Sequence, residues 1–206
     1  RSNEPGFLSQ WGYFLGNAEK MQKLAGRLVD IGEGRIRDMD STGIARQILS
    51  IASPGVQIFD AATGTSLATS FNDALAQAIA KHPDRFSGLG AIAPQNPAAA
   101  AKELERCVTR LGLKGAIINS NTQGEYLDNP KFWDILAAAE ALDVPIYLHP
   151  ATPPARMIGP LIESGLEGAF YGFAVETSVQ RLRMIMNGIF DRFPTLKMVA
   201  GHACDG

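Results

Sequence analysis

Three histidines occur in the 206 residues, and their settings differ. His82 lies in Lys81-His82-Pro83-Asp84, where a helix ends in a charged turn. An imidazole at a helix C-terminus is explained by that position alone, as a solvated or capping group. His149 and His202 instead end two successive apolar runs, Val144–His149 and Leu196–His202. Alternation puts Tyr147 with His149 on one face and Met198, Ala200 and His202 on one face. If both histidines point inward at the ends of neighbouring strands, they can share a metal or a substrate. Neutral imidazole ligates Zn²⁺, Mn²⁺ or Fe²⁺, and it moves protons near neutral pH. The competing reading is a pair of structural histidines bonded to backbone carbonyls.

Four further residues sit where they can join such a site. Asp205, three residues after His202, can orient its imidazole or shuttle protons, or else cap a following helix. Asn119 ends another apolar run, and its amide suits a substrate oxygen; turn formation in Asn119-Ser120-Asn121-Thr122 is the alternative. Glu176 is either a helix-capping carboxylate or a site residue. Cys204 adjoins the His202 segment without a third group to complete a nucleophilic triad, so it reads as a packing thiol. The dense charges of Arg35 to Asp40 precede the first strand and read as salt bridges on the face away from the site.

The elements that must position these residues alternate regularly. Ile44–Ala52, Phe86–Ala93, Leu113–Asn119, Val144–His149 and Leu196–His202 are short, near-continuously apolar and bounded by Gly or Pro, as strands covered on both faces are. Between them the spacing predicts a helix over Leu67–Lys81, one from the Asn96-Pro97 cap to Gly112, and one opened by Asn129-Pro130. Another is capped by Thr177 or Ser178 and buries Leu182, Ile185 and Ile189 before Pro194. An earlier amphipathic helix runs through Met21, Leu24, Leu28 and Ile31. Strict alternation implies an α/β fold with a parallel sheet, either open and doubly wound or closed as a (β/α)₈ barrel. Without GxGxxG or GxxxxGK[ST], the nucleotide-binding versions of the open sheet lose support. The long connection from His149 to the helix near Thr177 lies on the active-site face in either architecture and suggests a substrate-covering element.

Composition narrows the partners. Nineteen basic residues against twenty-one acidic leave a net charge of −2, which argues against a nucleic-acid surface. No apolar stretch approaches the ~20 residues that cross a bilayer. Two cysteines make no disulfide scaffold, so the expectation is a cytoplasmic protein. Arg1 in place of Met, and an end just past His202, suggest a piece of a longer protein.

The segments Gly115–Gly124 (GAIINSNTQG), Pro145–Ala151 (PIYLHPA), Gly172–Thr177 (GFAVET), Gly188–Pro194 (GIFDRFP) and Val199–Asp205 (VAGHACD) resemble, in order and spacing, the metal-dependent, non-oxidative aromatic acid decarboxylases of the amidohydrolase superfamily. The resemblance extends from Trp11 through Asp40-Ser41-Thr42-Gly43-Ile44 to His202. It implies a (β/α)₈ TIM barrel with one divalent metal ion, Zn²⁺ or Mn²⁺, and no organic cofactor. Residues 1–206 would then be a single partial barrel domain carrying strands 2 to 6 with their helices, strands 1, 7 and 8 being absent, against the ~250 residues of a typical barrel. It also implies that His149 ligates the metal and that His202 and Asp205 are catalytic; Asn119, from its place at a strand end, is the expected substrate-binding residue. The usual Gly-His-x-Gly-Glu pattern departs here to Cys204 and Asp205. Metal ligands that the family takes from its first and eighth strands have no counterpart in the chain.

The implied reaction is CO₂ release from a hydroxylated benzoic acid, by a homo-oligomer that binds neither nucleic acid nor membrane. Two other readings stay open. One is a metal-dependent, lactonase-like hydrolase on the same scaffold. The other is a catalytically incomplete fragment or binding scaffold, since one histidine falls short of the three protein ligands usual at catalytic metal sites.

Overall fold

A computed structural model describes residues 18–202. Two helices, α1 (Ala18–Val29) and α2 (Glu33–Ser41), precede strand β1 (Gln47–Leu49). Helix α3 (Ala61–Lys81) leads to β2 (Phe86–Gly88) and β3 (Gly90–Ala91), and α4 (Pro97–Thr109) leads to β4 (Ala116–Asn119). A 3₁₀ turn at Pro130–Phe132 runs into α5 (Trp133–Ala141), followed by β5 (Pro145–His149), α6 (Ala155–Ile162), α7 (Gly172–Met186), α8 (Ile189–Arg192) and β6 (Lys197–Ala200). Every strand pairing is parallel, in the orders β1-β2 and β3-β4-β5-β6. The architecture is therefore α/β with parallel strands, as the alternation of apolar runs predicts.

The expected strand Phe86–Ala93 is divided at Leu89, and the division has a clear cause. Leu89 N–H still donates to Leu49 O (2.9 Å) on one side, whereas Gly90 N–H donates to Gly115 O (2.8 Å) on the other. The run thus passes from pairing with β1 to pairing with β4. Where β1 diverges, Asn72 of α3 substitutes for it: Ala91 N–H donates to Asn72 Oδ1 (2.7 Å), and Asn72 Nδ2 donates to Ala91 O (2.8 Å). A buried strand edge is satisfied by a side-chain amide instead of a strand.

The main core lies between one face of the four-stranded sheet and α4, α5 and α7. Ile118, Ile146 and Leu148 from the strands meet Leu104, Phe132, Ile135, Leu136 and Met184. Full burial of each such side chain is worth roughly 1.5–3 kcal/mol. Helix ends follow the sequence in part. Asn129 accepts from Lys131 N–H, as an N-cap should. Asn96 makes no capping bond; its Nδ2 instead approaches Thr65 Oγ1 at 3.4 Å. Asp60 caps α3, which starts earlier than the apolar spacing suggested.

Several expectations need correction. The first strand is shorter than Ile44–Ala52. Helix α7 begins at Gly172 rather than after Thr177 or Ser178, so Glu176 and Thr177 are interior helical residues. Leu182 and Ile185 are 58% and 57% exposed, and Ile189, though buried, belongs to α8. Leu24 and Leu28 of α1 are also exposed. Met21's side chain, Trp11, Cys204 and Asp205 lie outside the described residues. The charged segment before β1 behaves as expected, with Arg85 paired to Asp40 (2.6 Å) and Arg35 donating to the carbonyls of Asp30 and Arg27. Exposed apolar side chains lie at both ends of the strand series: Ile48 on β1, then Val199 on β6, which lines a shallow groove with Ile185.

The turn into β4 requires glycine. Gly115 has φ +145°, and a Cβ there would run into the Pro145 carbonyl oxygen at the start of β5. Gly115→Ala is expected to destabilise the fold by about 3 kcal/mol, a Tm lowered by roughly 6–12 °C, measurable by thermal unfolding.

Candidate active site at the C-terminal ends of the strands

Register decides which side chains can meet. Asn119 pairs with His149, and Ile117 with Tyr147, so these four share the sheet face opposite the main core. Tyr147 in turn pairs with Val199, and Leu148 with Ala200. Met198 and Ala200 therefore share the core side with Ile146 and Leu148, not the face of His149. Straight continuation of β6 would send His202 to the wrong side.

The chain avoids that outcome by turning. Gly201 N–H still donates to Leu148 O (2.8 Å), and His202 then takes φ +51°. A Cβ on Gly201 would lie 2.8 Å from Tyr147 Oη, so only glycine lets the turn press against β5. The His202 ring ends 5.4 Å from that of His149, nearly perpendicular to it, and 6.2 Å from Phe173 at the start of α7. The two histidines do meet, through a left-handed turn and not through strand periodicity.

His149 is held in one tautomer. Its Nδ1 lies 2.7 Å from the Pro150 carbonyl oxygen, which can only accept, so Nδ1 carries the proton and Nε2 the lone pair. Burial, opposed by this bond and aided by His202 nearby, pushes its pKa below the ordinary 6.5. A neutral imidazole fixed by a backbone carbonyl is what a metal ligand needs. Among the described residues, however, no group of three or more His, Cys, Asp or Glu side chains is placed to hold a metal ion. His149 fits as one ligand, and the described part of the chain does not assemble a full set.

Asn119 is 3% exposed, and its Oδ1 has no hydrogen-bond partner among the described residues. Its backbone is fixed by Gln57, from the connection after β1. Asn119 N–H donates to Gln57 Oε1 (2.6 Å), while Gln57 Nε2 donates to Thr122 Oγ1 (2.7 Å) and points at the carbonyls of Asn119 and Asn121. The turn chemistry of this segment falls to its neighbours: Ser120 has φ +43°, and Asn121 Oδ1 accepts from Gly124 N–H. Asn119's side chain is therefore not spent on the turn.

Glu176 is fully buried, and it caps nothing. Its Oε1 accepts from Ser120 Oγ (3.0 Å) and Asn121 Nδ2 (2.6 Å), and its Oε2 accepts from Tyr126 Oη (2.9 Å). Burial raises its pKa against the opposing pull of Asn121, Tyr126 and Ser120. The same burial, with Glu176 beside it, pushes the Tyr126 hydroxyl up, so it stays a donor. Sequence reasoning missed Gln57 and Tyr126 and left Glu176 undecided. The available signal was a carboxylate that directly follows the apolar run Phe173-Ala174-Val175.

The amidohydrolase family model matches residues 24–205. The γ-resorcylate decarboxylase of a Polaromonas species is 41% identical over 194 residues, covering 89% of this chain and 59% of that protein. The 5-carboxyvanillate decarboxylase of Novosphingobium aromaticivorans, solved with manganese and 4-hydroxy-3-methoxy-5-nitrobenzoic acid, is 48% identical with a TM-score of 0.93. That match covers 97% of this chain and 57% of the other. A 2,6-dihydroxybenzoate decarboxylase from Rhizobium superposes with a TM-score of 0.86 at 38% identity, over 91% of this chain and 60% of that one. The chain thus spans somewhat over half the length of the relatives it matches. With the family model spanning nearly all of its described residues, the chain belongs to the amidohydrolase family.

Proposed function

We propose that the protein carrying this chain is a metal-dependent, non-oxidative carboxy-lyase acting on a hydroxylated benzoic acid. The observation that carries the reading is the superposition on a decarboxylase holding manganese and a hydroxybenzoic acid analogue, with His149 and His202 meeting at the strand ends. In this reading β1 to β6 form the second to sixth positions of a single (β/α)₈ barrel domain, β2 and β3 together counting as the third. Exposed Ile48 and Val199 at the two ends of the strand series support further strands there. The protein is read as a cytoplasmic homo-oligomer.

His149 would hold one divalent cation, Mn²⁺ or Zn²⁺, through Nε2. When bound, that cation supplies charge neutralisation for the substrate's carboxylate and adjacent phenolic oxygen. The chain's own residues do the rest. Asn119 would hold a substrate oxygen beside His149, its register neighbour. His202, with Asp205, would bring a proton to the ring carbon that bears the carboxylate. The bond from that carbon to the carboxylate then breaks, CO₂ leaves, and the electron pair restores the aromatic ring. No organic cofactor is needed as an electron sink.

The whole protein, loaded with Mn²⁺ or Zn²⁺, is expected to release CO₂ from at least one member of a panel of ortho-hydroxybenzoates. Silence across the panel overturns the reading. His202→Asn should retain metal and lose about 10²–10⁴-fold in kcat, the usual worth of a positioned proton donor. The isolated 206-residue chain should bind Mn²⁺ weakly and release no CO₂. Stoichiometric metal surviving a chelator would contradict that.

A pH effect follows from His149. Because its folded pKa lies below the ordinary value, the unfolded chain takes up the proton first as pH falls through 6.5. Stability should decline from there toward the lower folded pKa. In His149→Gln the slope of Tm against pH over that window should flatten.

A further inference from the structure

We propose that Glu176 is a positioning residue for the site, an inference that rests on the decarboxylase reading above. Its carboxylate ties the connection after β4 to the first turns of α7, and its partner Asn121 carries the link on to the loop after β5. Ser120 and Asn121 donate from the first of these loops, and Asn121 Nδ2 also reaches Thr152 O (3.4 Å) in the second. Thr152 lies three residues beyond His149. Phe173, three residues before Glu176 on α7, touches the His202 ring. Asn119, directly before Ser120, lies in register with His149. The carboxylate thus holds the loop that follows Asn119 directly, and it is linked to His149 through Asn121 and Thr152 and to His202 through Phe173 of its own helix.

The third donor is itself braced. Tyr126 lies between the Arg156 and Arg183 guanidinium groups, 5.5 and 5.0 Å from its ring centre. Arg183 is held by Asp128 through two bonds of 2.9 and 2.7 Å, and Asn187 Nδ2 donates to the same carboxylate (2.8 Å). A fully buried carboxylate is a costly way to fill space, and well-packed apolar groups do so at least as well. A carboxylate with three convergent donors fixes relative positions of segments far apart in the chain, which apolar packing does less specifically. Small misplacements of reacting groups cost up to about 10²-fold in rate, so this fixing has a catalytic consequence.

The test uses the whole protein. Glu176→Gln keeps the volume but removes the charge and replaces one acceptor oxygen with a donor, so the three donors can no longer all give their protons to this side chain. Tyr126→Phe removes a single donor and leaves the ring between its arginines. Both variants are expected to fold, by circular dichroism, and to lose about ten- to a hundredfold in kcat with KM changed less than threefold. The imidazole NMR signals of His149 and His202 should also move. Wild-type kcat with unmoved imidazole signals in both variants overturns the proposal, as does a loss confined to KM. If Glu176→Gln fails to fold, Tyr126→Phe decides. If the wild-type protein releases no CO₂ from any hydroxybenzoate, the decarboxylase reading fails. The imidazole signals then decide the positioning role alone.

Discussion

The parallel register of β4, β5 and β6 is the constraint on which the site and the core both depend. Side chains alternate along each strand, and neighbours in register point the same way. Ile118, Ile146, Leu148, Met198 and Ala200 are thereby committed to one side, and Asn119, Tyr147 and His149 to the other. A slip of one residue between β4 and β5 would put Asn119 and His149 on opposite faces and drive Tyr147 into the core. Hydrophobic burial on the helix side thus fixes polar chemistry on the open side. Gly115 belongs to the same constraint, because the chain can enter β4 in this register only by passing close beneath the Pro145 carbonyl.

Much of this was legible in the sequence, and the failures are instructive. Runs such as Val144–His149 announce a covered strand because both faces must exclude water, and the order of the strands followed directly, whereas α2 and α6, the latter inside the long connection after β5, were not foreseen. The meeting of His149 and His202 was expected, but for a reason the register contradicts. Period-two counting assumes that the strand continues, whereas a left-handed residue after Gly201 reverses which side the next group occupies. A dihedral at one position carries no compositional signal. Leu182 and Ile185 show the opposite failure: their apolar spacing is real, yet nothing among the described residues covers them. Apolar character identifies surface that gains from burial and not the partner that buries it.

The polar interior was least legible, because its logic is satisfaction rather than periodicity. Where regular pairing stops, side chains replace it. Asn72 completes the edge of β3, and Gln57 does the same at the end of β4. Asn72 also donates to Glu103 Oε1 (2.7 Å), which Arg106 engages from one turn on. Apart from the i,i+3 pair of Glu103 and Arg106, these partners are nineteen or more residues apart, so no local pattern reveals them. Such groups are forced by a simple rule: a buried backbone N–H or C=O left without a partner costs as much as a lost hydrogen bond.

The same rule separates Glu176 from Asn119. Both are buried near the strand ends, and both interrupt apolar surroundings. Glu176 spends three of its roughly four acceptor positions on donors from its own chain, so it has little left for a ligand. Asn119 has its backbone satisfied by Gln57 while its side-chain Oδ1 is left over. A buried polar atom without a protein partner calls for a water, an ion or a ligand. Satisfaction therefore separates the polar residues of this site whose acceptors are filled within the chain from those left with an atom to spare. That sorting puts His149 with Asn119: one ring nitrogen of His149 is committed to Pro150, and the other stays available.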